Sequence, residues 1–157
     1  MSKSRKRVEE ALRAAGLRAG IREMAGDCAT AEAAAATLGV EVDRIAKSVL
    51  LAGSETGTMY LFLTAGTNAV DPDAAARLAG EPLVRPGAAR IRAETGFAIG
   101  GVAPLGHLCP VRAFQDPRLW DFATIWAAAG TPRHVFEAEP EGLRAAIGAM
   151  RAAFTAP

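Results

Sequence analysis

The sequence predicts an α+β fold, a single domain built on a mixed, mostly antiparallel β-sheet flanked by helices. Three observations carry this. Apolar runs of helical period and short strand-like runs are mixed along the chain. Three strand-like segments fall close together late in the sequence. No internal repeat, low-complexity tract or linker divides the 157 residues, a length typical of one domain.

Each element has its own signal. Val8, Ala11, Leu12 and Ala15 recur at helical spacing, and Gly16 stands where that helix should stop. Lys3, Arg5, Lys6 and Arg7 precede this face, either as a solvated helix start or as a phosphate-touching patch. Thr30 reads as the N-cap of a helix from Ala31 to Leu38 that Gly39 ends. Ile45 to Ala52 reads as a strand, Gly53 to Gly57 as a turn, and Thr58 to Thr64 as a strand apolar on both faces, hence central in a sheet. Asp71-Pro72 starts a helix that Gly80 closes, and Pro86-Gly87 starts another, with Ile91 its main apolar residue before Gly96. Gly96 to Gly106 is too rich in glycine and proline for regular structure and must contain a shaped loop. Val111 to Phe114 reads as a strand and Asp116-Pro117 as a helix start. Ala123 to Ala128 and Arg133 to Glu137 read as a strand pair joined by Gly130-Thr131-Pro132, and a last helix runs from Pro140 through Leu143, Ile147 and Met150.

Composition excludes several functions. With 50% hydrophobic and 22% charged residues the chain is globular rather than disordered. Lys+Arg number 18 against 17 Asp+Glu, so no global basic field holds a polyanion and any nucleic-acid contact must be local; a DNA partner is not expected. No stretch approaches the ~18–20 apolar residues of a membrane helix. The basic start is followed by Glu9 and Glu10 rather than an apolar signal core, which points to a cytoplasmic protein. Cys28 and Cys109 form no CxxC, and with His107 and His134 they lack the spacing of a zinc site. Neither a metal nor another cofactor is expected, nor a disulfide.

Two features stand out as candidates for chemistry. On a strand, Lys47 shares a face with Ile45, Val49 and Leu51. A lysine in an apolar row either snorkels or protects a sheet edge, or is a cation at the floor of a pocket. The second is Gly100-Gly101-Val102-Ala103-Pro104, where adjacent glycines let backbone amides converge on an oxygen, as an oxyanion hole requires. It is neither a P-loop nor a dinucleotide fingerprint. No GxSxG is present, and neither cysteine has a local histidine partner. Asp116 reads most simply as a helix cap, His134 as a half-buried strand residue, and His107 as facing the loop mouth.

In order, Thr30-Ala-Glu-Ala-Ala to Leu38-Gly39-Val40, Ile45-Ala-Lys47-Ser48, Leu63-Thr-Ala-Gly66, Thr95-Gly96-Phe-Ala-Ile-Gly100-Gly101-Val-Ala-Pro104-Leu-Gly106 and a strand ending in Asp116 resemble the YbaK/prolyl-tRNA-synthetase-associated domain family of aminoacyl-tRNA editing domains, from about Arg5 to Met150. The resemblance implies one domain over residues 1–157. It implies a deacylase that hydrolyses the ester of a wrong, small amino acid on tRNA, with alanine on proline tRNA the first expectation and cysteine next. The alternative is a module of the same fold that binds a tRNA end or nucleotide without turnover. It further implies that Lys47, Gly100 and Gly101 carry the reaction, with a substrate ribose hydroxyl assisting the attack. Ser48, Val102, Ala103, Pro104, His107, Asp116 and His134 are expected around the substrate. The partners would be the aminoacyl-tRNA acceptor end and a prolyl-tRNA synthetase, with no membrane and no cofactor. Ile21 to Cys28 departs from cysteine-clearing members in lacking a tyrosine.

Overall fold

The structure, a computed structural model, describes residues 2–18 and 20–157. Among the described residues five α-helices, α1 (Lys3–Ala14), α2 (Ala31–Leu38), α3 (Pro72–Ala79), α4 (Ala88–Thr95) and α5 (Pro140–Ile147), accompany eight strands. These are β1 (Arg22–Glu23), β2 (Ala46–Gly53), β3 (Met59–Ala65), β4 (Leu83–Val84), β5 (Arg112–Gln115), β6 (Ile125–Ala128), β7 (His134–Ala138) and β8 (Met150–Arg151). The architecture is the α+β one the sequence predicts, with antiparallel pairs outnumbering parallel ones. The strands divide into a five-stranded sheet, β4-β2-β3-β5-β8, and a three-stranded one, β1-β7-β6, joined where Ile45 bridges to Trp126. The late strands therefore do not sit together: β5 lies parallel to β3, while β6 and β7 form the expected antiparallel hairpin in the other sheet.

Local chemistry explains the boundaries. Thr30 caps α2 by accepting from the Ala33 amide at 3.1 Å, and Gly39, Gly80, Gly96 and Gly148 end their helices in the left-handed conformation. Asp71 occupies the N-cap position of α3 without a side-chain bond, so Pro72 alone supplies the start signal there. Two readings need correction. Asp116-Pro117 opens a 3-10 turn, Pro117–Asp121, rather than an α-helix, and Gly148 stops α5 before Met150, which lies in β8 parallel to β5.

Every residue of β3 is buried, as a strand apolar on both faces must be. On one side of the sheet, Phe62 stacks on Phe114 and meets Phe154 edge-on beneath α3. On the other, Leu50, Leu61 and Ile91 pack under α4, and Val8 and Leu12 of α1 enter a larger core with Leu63, Phe97, Ile125 and Phe136.

Glu81 fastens the far end of the β2–β3 hairpin. Buried to 7% exposure, it accepts hydrogen bonds from the Thr56 hydroxyl (2.5 Å), the Thr56 and Glu55 amides (2.9 Å each) and the Tyr60 hydroxyl (2.8 Å). The Thr56 hydroxyl and amide, aided by Tyr60, pull its pKa from an ordinary 4.5 to about 2. A depressed carboxyl stabilises the fold fully above its unfolded value, and that stability is lost as pH falls through the folded value. The melting temperature is therefore expected to fall between pH 4.5 and about 2. Glu81→Gln should melt lower than wild type at pH 7 and converge with it near the acid end; parallel melting profiles at every pH would show that Glu81 contributes nothing.

Candidate functional site

β2 pairs with β3 along its length, but its other edge has neighbours only at the two ends. Ile45 bridges to Trp126, while Ala52 and Gly53 pair with β4. Between those points a cleft takes the place of a strand. Its inner cavity, about 250 Å³, is walled by Ala31 and Ala34 of α2, Trp126, Val135 and the loop residues Gly100 and Val102. Its outer groove, about 550 Å³, runs past Val49 and Leu51 between the turn at Asn68–Val70 and the segment from Leu83 to Pro86. The two parts share Lys47, Leu50, Ile91 and Ile99.

Lys47 thus stands on an unpaired strand edge and at the junction of two cavities, so both sequence readings of it describe the same position. Its stem follows the face of Val49 and Leu51, and its ammonium donates to the Asn68 carbonyl at 2.6 Å. Asn68 is itself held, because its amide Nδ2 donates to Asp116 Oδ2 at 2.9 Å. That carboxylate also accepts from the Ala65 amide (3.1 Å) and, through Oδ1, from the Arg118 amide (3.0 Å). Asp116 is only 2% exposed. Expected around the substrate, it lies beneath the cleft and lines neither part of it, and Asn68 links it to Lys47.

Ser48 lines the inner cavity, as Lys47 does. Ser48 Oγ and Trp126 Nε1 are buried and have no hydrogen-bond partner among the described residues. A buried polar atom left unpaired costs about 1–3 kcal/mol.

The loop is shaped as a glycine pair allows, and its two glycines serve different ends. Gly100, at φ +93°, makes the left-handed step. The Gly101 amide closes the turn by donating to Ala98 O at 3.0 Å, so it is not free for an oxyanion. What Gly101 supplies is a close approach: a Cβ there would lie 2.7–2.9 Å from the Thr131 backbone. The amides of Gly100 and Val102 donate to no acceptor among the described residues, and both residues line the cavity.

The remaining candidates hold this loop from below. Ala103 and Pro104 are buried. His107 donates from Nε2 to Ala103 O at 2.8 Å and meets Phe97 edge-on. Burial pushes its pKa below the usual imidazole value, against the hydrogen bond to Ala103 and helped by the charge of Arg7. His107 and Pro104 line a separate cavity of about 90 Å³. His134 Nδ1 lies 2.6 Å from the Thr131 hydroxyl, orienting the turn against which Gly101 packs. His107, His134, Ala103 and Pro104, expected around the substrate, line neither part of the cleft. Arg7 belongs with them: its guanidinium donates to Gly96 O (2.9 Å), Thr95 O (3.5 Å) and Gly106 O (3.3 Å) and lies 4.9 Å from the Phe97 ring centroid. It is a loop clamp, not a phosphate patch.

Sequence reasoning missed Trp126, Asn68 and Ile99. Trp126 carried a signal, a large indole followed by two alanines in a short strand. Ile99 carried one too, an apolar residue at the head of a glycine pair that the fold leaves 65% exposed. Cys28 also lines the cavity. Its thiol pKa is raised by burial and by the charge of Asp27, which keeps it protonated and a poor nucleophile.

The model of the aminoacyl-tRNA editing domain family matches residues 25–146, a span that includes the whole cleft. This chain belongs to that family. Among curated proteins, the uncharacterized protein YwhH of Bacillus subtilis (strain 168) is 31% identical over 123 residues, 78% of each chain. A solved structure of a candidate trans-editing enzyme for prolyl-tRNA synthetase is 41% identical and superposes with a TM-score of 0.93 over 100% of this chain and 99% of that one. The hypothetical protein APE2540 is 27% identical, with a TM-score of 0.88 over 96% of this chain and 99% of that one. The editing-domain fold thus extends over the whole chain, α1 included. No helix among the described residues is long and apolar enough to cross a membrane.

Proposed function

We propose that residues 1–157 act as one cytoplasmic editing domain that deacylates mischarged tRNA in trans, with alanine on proline tRNA the preferred substrate and cysteine next, alone or beside a prolyl-tRNA synthetase. The observation that carries the reading is the meeting, around one small, largely apolar cavity, of Lys47 with Gly100 and Val102, two loop residues whose amides donate to no acceptor among the described residues. A synthetase pocket cannot reject a smaller amino acid strongly enough by binding alone, so a second site must destroy the product. A cavity walled by Ala31, Ala34, Val135 and Trp126 suits a small apolar side chain.

The chemistry asks little of side chains. Water adds to the ester carbonyl carbon, and the oxygen that becomes negative is received by the loop amides. The bond from that carbon to the ribose oxygen then breaks, releasing the amino acid and restoring the ribose hydroxyl. The neighbouring ribose hydroxyl of the substrate orients the water. Lys47, held by Asn68 and Asp116, fixes the acceptor end beside the loop and supplies positive charge. The near-zero net charge of the chain suits an enzyme that grips only that end.

The test is a panel of labelled alanyl-, cysteinyl-, seryl- and prolyl-tRNA(Pro). The expected result is rapid loss of label from alanyl-tRNA, slower loss from cysteinyl-tRNA and none from prolyl-tRNA. Binding of the panel without hydrolysis of any member would replace this reading with the non-catalytic module.

A further inference from the structure

The turn that receives the Lys47 ammonium is held from outside the cleft. β3 ends at Ala65, and the Asn68 amide closes the turn by donating to Ala65 O at 2.9 Å. Asp116 fixes both ends, taking the Ala65 amide and the Asn68 side chain. The middle is fixed by a different carboxylate. Asp43, in the 3-10 turn Val42–Arg44, accepts through Oδ1 from the Thr67 amide (2.8 Å) and the Thr67 hydroxyl (2.5 Å). Its Oδ2 accepts from Arg118 Nε at 3.0 Å, and Arg118 Nη1 donates to Asp121 at 2.8 Å. Because the Arg118 backbone amide donates to Asp116, one residue links the two carboxylates that hold the turn. Gly66 completes the grip, since a Cβ there would collide with the Val42 backbone carbonyl.

Every residue from Ala65 to Asn68 is thus tied, yet Asp43, Thr67 and Arg118 line neither part of the cleft. The Asp43–Arg118 pair is partly open to solvent, and such pairs add little to stability. Thr67 is itself exposed. What these polar ties secure is geometry rather than burial. Resting on the deacylase reading, we infer that Asp43 is a positioning residue for Lys47 and acts through the turn from Thr67 to Asn68. An ammonium has three donors. One goes to the Asn68 carbonyl, and the direction of that bond sets where the other two point. Thr67 immediately precedes Asn68, so releasing it from Asp43 lets the turn pivot between its two Asp116-bound ends. The charge that the substrate meets then moves, although Asp43 never touches the substrate.

The chain has three lysines, Lys3, Lys6 and Lys47, so full-length protein carrying 13C at the lysine Cε gives three NMR signals to follow. Lys3 and Lys6 are exposed and serve as internal references. Asp43→Ala is expected to shift or broaden the Lys47 signal and leave the other two in place. Its single-turnover rate on alanyl-tRNA should fall about 10-fold, short of the ~10²-fold that a 1 Å misplacement costs. In a Lys47→Met background the same change should cost no further rate, because the group being positioned is gone. Its effect on melting temperature should be equal in both backgrounds. Arg118→Gln, which frees Asp43 on its other side, should also move the Lys47 signal, and it serves where Asp43→Ala does not fold. A Lys47 signal unmoved in both variants would overturn the assignment, as would an equal loss of rate with and without Lys47. A Lys47 signal that moves in a protein hydrolysing no aminoacyl-tRNA would sink the deacylase reading and leave the brace standing.

Discussion

Lys47→Met is expected to lower single-turnover hydrolysis of alanyl-tRNA by about 10²-fold or more, the scale on which loss of one preorganised electrostatic partner acts. Methionine keeps the aliphatic stem that lies along β2 and removes only the ammonium. That ammonium has one polar partner among the described residues, the Asn68 carbonyl at 2.6 Å. Its loss should therefore cost the fold at most about 1–3 kcal/mol, and the variant should still fold. Arginine is not a conservative replacement here, because a planar fork cannot present one compact charge to both cavities. A Lys47→Met protein that hydrolyses at the wild-type rate would reduce Lys47 to a sheet-edge residue. One that unfolds would make it structural.

Gly101→Ala is expected to have a comparable effect by a different route. The added methyl would meet three backbone atoms of Thr131, Cα at 2.7 Å and C and N at 2.9 Å, and a backbone cannot swing aside as a side-chain tip can. The loop must therefore lift from the β6–β7 turn. Overpacking of this kind costs about 1–3 kcal/mol of stability, and a displacement approaching 1 Å in a positioning element costs up to about 10²-fold in rate. The expected signature is a lower melting temperature with a fall in single-turnover rate larger than the fall in tRNA affinity, because the Gly100 and Val102 amides matter most as charge develops on the oxygen. A lower melting temperature with unchanged chemistry would leave the loop as packing alone. Equal losses of rate and affinity would mark it as a docking surface.

The legible parts of this molecule were those governed by local rules. Thr30, Gly39, Gly80 and Gly96 cap or end helices whatever surrounds them, and the apolar run of β3 announces a strand buried on both faces. The alternation that singled out Lys47 is equally local, a property of strand geometry. What stayed hidden depends on contacts distant in sequence. Asp116 has the same spacing to its proline whether it caps a turn, binds substrate or braces Asn68, and only folding brings Asn68 to it across 48 positions. Gly101 gave no sign that Thr131 would lie against it, and a glycine pair does not say which member takes the positive φ. The division of the strands into two sheets was likewise beyond a reading of adjacency, since it turns on the bridge between Ile45 and Trp126. That bridge ends the pairing of β2 on its outer edge and so opens the cleft.

Arg7 ties the reactive loop to a helix that lies outside the span matched by the family model, which begins at residue 25. Its three carbonyl partners belong to the end of α4 and to both ends of the loop, and the same helix presses the backbone at Ser4 against Gly130, where no Cβ would fit. The loop amides can therefore be no better ordered than the docking of α1 allows. Whenever α1 undocks, even briefly and with both sheets intact, Gly100 and Val102 lose the frame that aims them. On the deacylase reading, the competence of the site then depends on local opening at α1 as well as on the global stability of the fold.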